Sequence, residues 1–358
     1  MAVKQINKAI YVFKTEGFRG VVDKCEDRTG RFIKTLLKDT NVKNPDSFML
    51  EVTNLCNLRC ITCAREYEYG QQMNTGSMDF EMFKMTIDEV APYTKSIGLT
   101  GLGETLLYRH LLEAVDYIHE KVNDPEIFIS TNANLQNAPQ ILADLSGKVG
   151  TVQISIDGVD EKYNEIRLKG DYGRFIENVK KISRIPDVEF IFNMVVLEKN
   201  YKQMPQVVGI AHEMGISQVQ FNTFNLASVT AQEVNDYELY VSEKFLAEYE
   251  KAAELADKLG VKFGSFFDFD TAPGFQKCPY PWSAFYITWD GYLAPCCTKP
   301  FPLELNFGNV FREGVMNCIN SSSFRQFRKM WYENKTPGFC KNCHYIEIPK
   351  VDIMSTLL

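Results

Sequence analysis

The sequence lacks any apolar run long enough to cross a bilayer. Its N-terminus, MAVKQINKAIYVFKTEGF, has a short apolar patch between lysines but no long apolar segment followed by a small-residue cleavage site, so no secretory signal is expected. A reducing cytoplasm is the expected setting. The chain also lacks an excess of basic residues. Its 39 Lys and Arg face 46 Asp and Glu, a net charge of −7. That balance speaks against an extended nucleic-acid surface. The stretch through Lys43 is locally basic, with Lys14, Arg19, Lys24, Arg28, Arg31, Lys34 and Lys38. It reads as a solvated helix face or as a contact for an anionic partner or membrane surface. Internal repeats and low-complexity tracts are missing as well.

What is present is 358 residues with an ordinary globular balance, 45% apolar and 24% charged. Such a length allows one large domain with appendages, or two domains. Residues 1–45 read as a short helical extension broken near Gly17–Gly20. Strand and helix patterns then alternate. The predicted strands are Phe48–Val52, Ser96–Leu99, Ile127–Ser130, Val152–Ile156, Glu189–Val195 and Val219–Asn222. The predicted helices are Asp79–Ala91, His110–Val122, Ala138–Ser146, Gly173–Ser183 and Met204–Met214. Alternation of this kind predicts α/β architecture with a parallel sheet and helices outside. Six strands are too few for an eight-unit barrel. The expectation is a partial (β/α)6 TIM-like barrel over residues 46–235. A bridging helix follows over 236–263, and a small Cys-rich β-hairpin plus helix domain over 264–358. In that last segment Asp290-Gly291, between Ala284–Trp289 and Tyr292–Pro295, predicts a two-residue hairpin turn, and Ser322–Tyr332 predicts a helix.

Ten cysteines in a chain of this setting call for an explanation other than disulfides. All but Cys25 fall in two groups. The first is EVTNLCNLRCITCAREY, in which Cys56, Cys60 and Cys63 are spaced C-x3-C-x2-C after the first strand. Barrel active sites form at the C-terminal ends of strands. Three thiolates without a fourth neighbour suit three irons of a [4Fe–4S] cube. The fourth iron is then open to an amine and carboxylate such as those of S-adenosylmethionine (SAM). The competing reading is zinc, which prefers four closed ligands, and no fourth Cys or His lies near.

The triad, its placement and the motifs downstream resemble the radical SAM superfamily over roughly residues 48–225. The family usually has an aromatic residue before the third cysteine, where this chain has Thr62. The turn LTGLGETLL resembles the family's Gly-Gly-Glu motif, with Thr105 where Pro is common. The resemblance implies that Glu104 holds the methionyl amine, with Gly101 and Gly103 letting the backbone approach a ligand. Ser130 and Asn132 end the third strand, where their side chains suit ribose hydroxyls. Ser155 and Asp157 in VQISIDG are implied to face cofactor or substrate, the alternative being a capped turn. Arg167 is the implied partner of the cofactor carboxylate, the alternative being a surface charge. Asn193 and Asn222 are polar residues in apolar strands, so ligand contacts are expected.

The second group is Cys278, Cys296 and the pair Cys340-x2-Cys343. A hairpin between the first two brings them together, and the pair completes four ligands. Four thiolates suit a fully ligated cluster or a zinc ion. The segment resembles the auxiliary-cluster domain of the SPASM/twitch branch. With no cysteine after Cys343, it is similar to the short form with one auxiliary [4Fe–4S] cluster, found in aminocyclitol dehydrogenases of aminoglycoside pathways. Cys297 is an alternative to Cys296. Cys25 and Cys318 read as packed thiols.

The resemblance implies the chemistry. An electron from reduced flavodoxin or ferredoxin reaches the first cluster. SAM is cleaved to methionine and a 5′-deoxyadenosyl radical, which takes hydrogen from substrate. The protein supplies orientation and a dry site. The first expectation is oxidation or rearrangement of a small polyol, sugar or aminocyclitol. The second is modification of a ribosomally made peptide or protein residue, against which the first 45 residues count as too short for the usual leader-recognition domain. The third is a non-catalytic iron–sulfur protein. No catalytic base is identified; Asp268, Asp270 and Glu304 are acidic candidates that otherwise read as surface groups.

Overall fold

The computed structural model describes residues 39–224, 237–240, 242–265, 278–340 and 343. Cys25, Asp268 and Asp270, with most of the N-terminal extension, lie outside those residues. The strands are β1 (Ser47–Leu50), β2 (Arg59–Cys60), β3 (Ser96–Leu99), β4 (Glu126–Thr131), β5 (Thr151–Ser155), β6 (Arg167–Leu168), β7 (Glu189–Val196), β8 (Gln218–Thr223), β9 (Lys262–Ser265), β10 (Ala284–Ile287) and β11 (Leu293–Ala294). Nine of them form one sheet in the order β11-β10-β1-β3-β4-β5-β7-β8-β9, while β2 and β6 pair separately. Every neighbouring pair from β10 to β9 is parallel, and only β11 runs against its neighbour.

Helices intervene between the strands because their apolar residues recur at helical spacing. Helix Phe80–Val90 buries Phe83, Thr86, Ile87 and Val90, and Asp79 caps it by accepting from the amides of Glu81 and Met82. Met204–Met214 and Glu243–Leu259 end at Gly215 and Gly260, whose φ values of 72° and 71° close the last turn. These helices and Leu111–Lys121 and Tyr172–Ile182 cover one face of the sheet. There Ile97, Leu99, Ile129, Ile154, Phe192 and Phe221 are fully buried among them. The opposite residues of β4, β5, β7 and β8 are half-exposed in strict alternation. That second face is mixed: Ser130, Gln153, Ser155, Asn193, Gln220 and Asn222 share it with Phe128, Ile191 and Val195.

The six predicted strands are all present, and so are the five predicted helices, with ends moved by at most two residues. Four features differ. The expected bridging helix is interrupted into Tyr237–Tyr240 and Glu243–Leu259, because Ser242 takes a capping conformation and accepts from the Phe245 amide. An unanticipated strand, β9, adds to the sheet edge; its KFGS sequence is too short to show a period of two. The hairpin loop has three residues, not two. Thr288 donates its amide to the Tyr292 carbonyl at 2.9 Å, and Gly291 at φ 90° takes the left-handed position such loops require. Finally, the cysteine-rich hairpin is not set apart from the barrel strands. β10 pairs residue for residue with β1, from Ser47 with Ala284 to Leu50 with Ile287.

The helix Ser322–Tyr332 braces that hairpin. Phe324 stacks on Phe307 at 3.8 Å and meets Phe285 edge-on. Arg328 is fully buried and donates to the carbonyls of Pro281, Ile319 and Thr40. Burial lowers its pKa to about 9. No helix among the described residues is long and apolar enough to cross a membrane.

Phe192 sits wholly buried at the centre of this core. Phe192→Ala should cost about 3–5 kcal/mol, read as a lower midpoint in urea unfolding at unchanged slope.

Candidate active site

The first cysteine loop leaves the C-terminal end of β1 and is fastened before it reaches Cys56. Asn54 donates to the Asn74 carbonyl at 2.7 Å and accepts from the Gly76 amide at 2.8 Å. Arg65 reaches back to the carbonyls of Asn54 and Leu58 at 3.1 and 2.7 Å. Cys60 lies in β2, opposite Arg167 of β6. Cys63 precedes the turn Ala64–Glu66. The three thiols converge, since Cys60 lies in the field of both Cys56 and Cys63. Burial pushes Cys60 up to about 12 and Cys63 to about 11, and raises Cys56. Buried thiols of this kind become thiolates only against positive charge. Among the described residues no three His, Cys, Asp or Glu side chains close on a point that one metal ion would fill. Three neighbouring thiols suit three corners of an iron–sulfur cube, whereas zinc prefers four closed ligands.

Glu104 stands beside this loop, its amide bonded to the Leu55 carbonyl at 2.8 Å. Its buried carboxylate accepts from Thr131 Oγ1, the Asn132 amide and the Leu106 amide at 2.7, 2.7 and 3.2 Å. Gly101 and Gly103 are also required by packing within the protein. A Cβ on Gly103 would lie 2.3 Å from the Thr53 carbonyl, and one on Gly101 would lie 2.4 Å from Glu51 Cγ. The glycines let the turn press against the chain that follows β1.

Asn132 is drawn to the cysteine loop: it donates to Asn57 Oδ1 at 2.8 Å and lies 3.9 Å from Cys56 Sγ. Ser130 donates to Gln153 at 3.1 Å. Ser155 stands level with Asn193, and Asn193 with Gln220, on the half-exposed face. Asn193 Oδ1 accepts a hydrogen bond from Asn222 Nδ2. Gln153 and Gln220 were not singled out in the sequence, although the alternation that placed Ser155 and Asn193 places them on the same face.

Asp157 and Arg167 are neither a capped turn nor a surface charge. They form a buried ion pair at 2.7 Å. Asp157 also accepts from the Val195 amide at 2.9 Å and from Thr62 Oγ1 at 3.3 Å. Thr62, the residue where the family usually has an aromatic, thus joins the site. Arg167 Nε is buried without a hydrogen-bond partner among the described residues, so the guanidinium retains a donor for a further acceptor.

Glu51, also missed from the sequence, is fully buried one residue past β1. It accepts from Tyr286 Oη of β10 at 2.6 Å and from the Leu102 amide at 2.9 Å. Burial raises its pKa from 4.5 to about 7, against the hydrogen bonds that lower it.

The second group of cysteines also converges. Cys340 lies in the fields of Cys296, Cys278 and Cys343. Cys297 lies in the fields of Cys296 and Cys343 as well as near Tyr286, and remains an alternative to Cys296. Cys318 is a buried packed thiol that a Cβ on Gly308 would approach to 2.9 Å. Glu304 is not a free surface acid: it is paired with the buried Lys299 at 2.5 Å.

Because Glu51 is harder to ionise folded than unfolded, its contribution falls as pH rises from 4.5 through about 7. Glu51→Gln should remove that fall. Urea unfolding of the two proteins should therefore favour the variant progressively between those pH values, and parallel pH profiles would count against a neutral Glu51.

Comparison with known proteins bears on both groups. The Radical SAM superfamily profile matches residues 50–211, and the SPASM profile, an iron-sulfur cluster-binding domain, matches residues 278–344. The antilisterial bacteriocin subtilosin biosynthesis protein AlbA of Bacillus subtilis is 24% identical over 331 residues, covering 88% of this chain and 68% of AlbA. A probable GTP 3′,8-cyclase of Methanocaldococcus jannaschii is 24% identical over 307 residues, 79% of this chain and 97% of the cyclase. The crystal structure of Streptococcus suis SuiB bound to precursor peptide SuiA shares the fold, with a TM-score of 0.67 at 15% identity over 96% of this chain and 78% of SuiB. The chain belongs to the radical SAM superfamily of enzymes and carries a SPASM iron–sulfur domain, with SAM, a SAM-binding [4Fe–4S] cluster and an auxiliary cluster as its cofactors.

Proposed function

We propose that this enzyme modifies a residue of a ribosomally made peptide. The observation that carries the reading is the likeness to AlbA, a bacteriocin biosynthesis protein, which runs through both the barrel and the cysteine-rich segment. The shared fold of SuiB, which has been crystallised with a precursor peptide, agrees with it. This takes precedence over the small polyol, sugar or aminocyclitol expected from the sequence. The likeness to a probable GTP 3′,8-cyclase keeps a small-molecule substrate as the second reading.

In this proposal Cys56, Cys60 and Cys63 hold the first cluster. A cluster held there would supply the electron for reductive cleavage of the SAM sulfonium, giving a 5′-deoxyadenosyl radical able to abstract hydrogen. The residues around it bind and orient. Glu104, held by three donors, offers its remaining lone pair to the methionyl amine. Arg167 offers Nε to the carboxylate while Asp157, itself bonded by Thr62, holds the Nη1 of the guanidinium. Gly101 and Gly103 set the turn that carries Glu104. Ser130, Asn132, Ser155 and Asn193 line the mixed face on which ribose and substrate rest. That face suits a polar ligand, because its hydroxyls and amides both donate and accept. Cys278, Cys296, Cys340 and Cys343 hold the auxiliary cluster. A reduced flavodoxin or ferredoxin is the proposed electron donor.

The chain reconstituted anaerobically with iron and sulfide, then given SAM and dithionite, should release 5′-deoxyadenosine. Cys60→Ala should reduce that release to background. Glu104→Gln should weaken SAM binding roughly tenfold to a hundredfold, the worth of one charge-assisted hydrogen bond. The substrate class is tested with deuterium. Transfer into 5′-deoxyadenosine from a deuterated precursor peptide encoded beside the gene would support the proposal. Transfer from a deuterated polyol or nucleotide instead would overturn it.

A further inference from the structure

The auxiliary cysteines share their surroundings with a buried cation. Lys299 is only 7% exposed. It follows Cys296 by three residues, and its ammonium donates at 2.8 Å to the carbonyl of Phe339, the residue before Cys340. The same ammonium lies 4.2 Å from the centroid of the Phe339 ring and 2.5 Å from Glu304 Oε1. One side chain therefore ties together two segments that bear the proposed ligands. A buried ammonium is costly unless it is paired and hydrogen-bonded, and here a carboxylate, a carbonyl and an aromatic face all attend it. Ordinary tethering needs no charge, since an amide or hydroxyl would reach the same carbonyl. Placing a full positive charge beside Cys296 and Cys340, offset by the half-buried Glu304 carboxylate, has an electrostatic consequence.

A cube held by four thiolates is already anionic and takes on a further negative charge when reduced. Net charge and neighbouring groups set its potential. A cation in a low-dielectric pocket favours the reduced form, and a carboxylate opposes it. We propose that Lys299 and Glu304 form a charge pair that sets the potential of the auxiliary cluster, the lysine raising it and the glutamate holding it back. The inference rests on the assignment of Cys278, Cys296, Cys340 and Cys343 as ligands. Lys299 touches no reacting atom and acts through the cluster as a positioning residue for charge. With the lysine in place, the cluster is tuned to accept an electron, as a site that drains a substrate radical must.

The test is potentiometric EPR on the full-length chain, reconstituted with iron and sulfide. Cys56, Cys60 and Cys63 are replaced by Ala so that only the auxiliary cluster reports. Lys299→Met should lower the midpoint potential, Lys299→Arg should leave it near the parent value, and Glu304→Gln should raise it. Shifts of opposite sign from the two members of one pair would not follow from loosened packing. An unchanged potential in both Lys299→Met and Glu304→Gln, with the cluster signal intact, overturns the inference while sparing the ligand assignment. If Lys299→Met fails to hold a cluster, Glu304→Gln decides: a raised potential supports the inference, and an unmoved or lowered one overturns it. Absence of any cluster signal in the parent protein overturns the ligand assignment and the inference with it.

Discussion

β1 has only four residues, yet it is hydrogen-bonded on one side to β3 and on the other to β10. The loop bearing Cys56, Cys60 and Cys63 leaves its C-terminal end. The turn bearing Glu104 follows β3, and the hairpin leading to Cys296 follows β10. Parallel pairing aligns the C-terminal ends of all three strands at one edge of the sheet. Glu51 then secures the join, by accepting from Tyr286 of β10 and from Leu102 of the turn after β3. Most of the candidate site is within reach of this strand because its partners share its direction.

The next constraint is the alternation of the sheet. One face is apolar and buried under helices, and the other presents hydroxyls and amides. A continuous apolar strand could not line a site for a charged sulfonium compound with a ribose, and a polar strand could not bury helices. Period-two strands satisfy both requirements with the same backbone. The polar groups on the open face are largely bonded to one another, as Ser130 is to Gln153 and Asn193 to Asn222. They are therefore held in position before a ligand arrives, which lowers the cost of ordering them on binding.

Charge is managed differently at the two ends of the molecule. Around the first cysteine loop the cation is Arg167, buried with Asp157 so that only part of its donor set remains available. Around the second group the cation is Lys299, balanced by Glu304. In both places a buried cation lies beside thiols that burial makes hard to ionise. Desolvation of the thiols and attraction to the cation oppose each other. In the proposed assignment, bound iron would supply the positive charge that settles the balance toward thiolate.

The sequence by itself determined the order of strands and helices, the two cysteine groups and the polar positions on the strands. Each of these is a local pattern: a period of 2 or 3.6, a cap, a fixed spacing between ligands. Tertiary structure alone decided that β10 joins β1, that Glu51 meets a tyrosine 235 positions away, that Thr62 and Arg167 both turn to Asp157, and that Glu304 is spent on Lys299. Spacing is silent on such pairings because a buried charge or hydrogen-bonding group takes whichever complementary group the fold brings within about 3 Å. That choice is made by packing over the whole chain, not by any run of neighbouring residues.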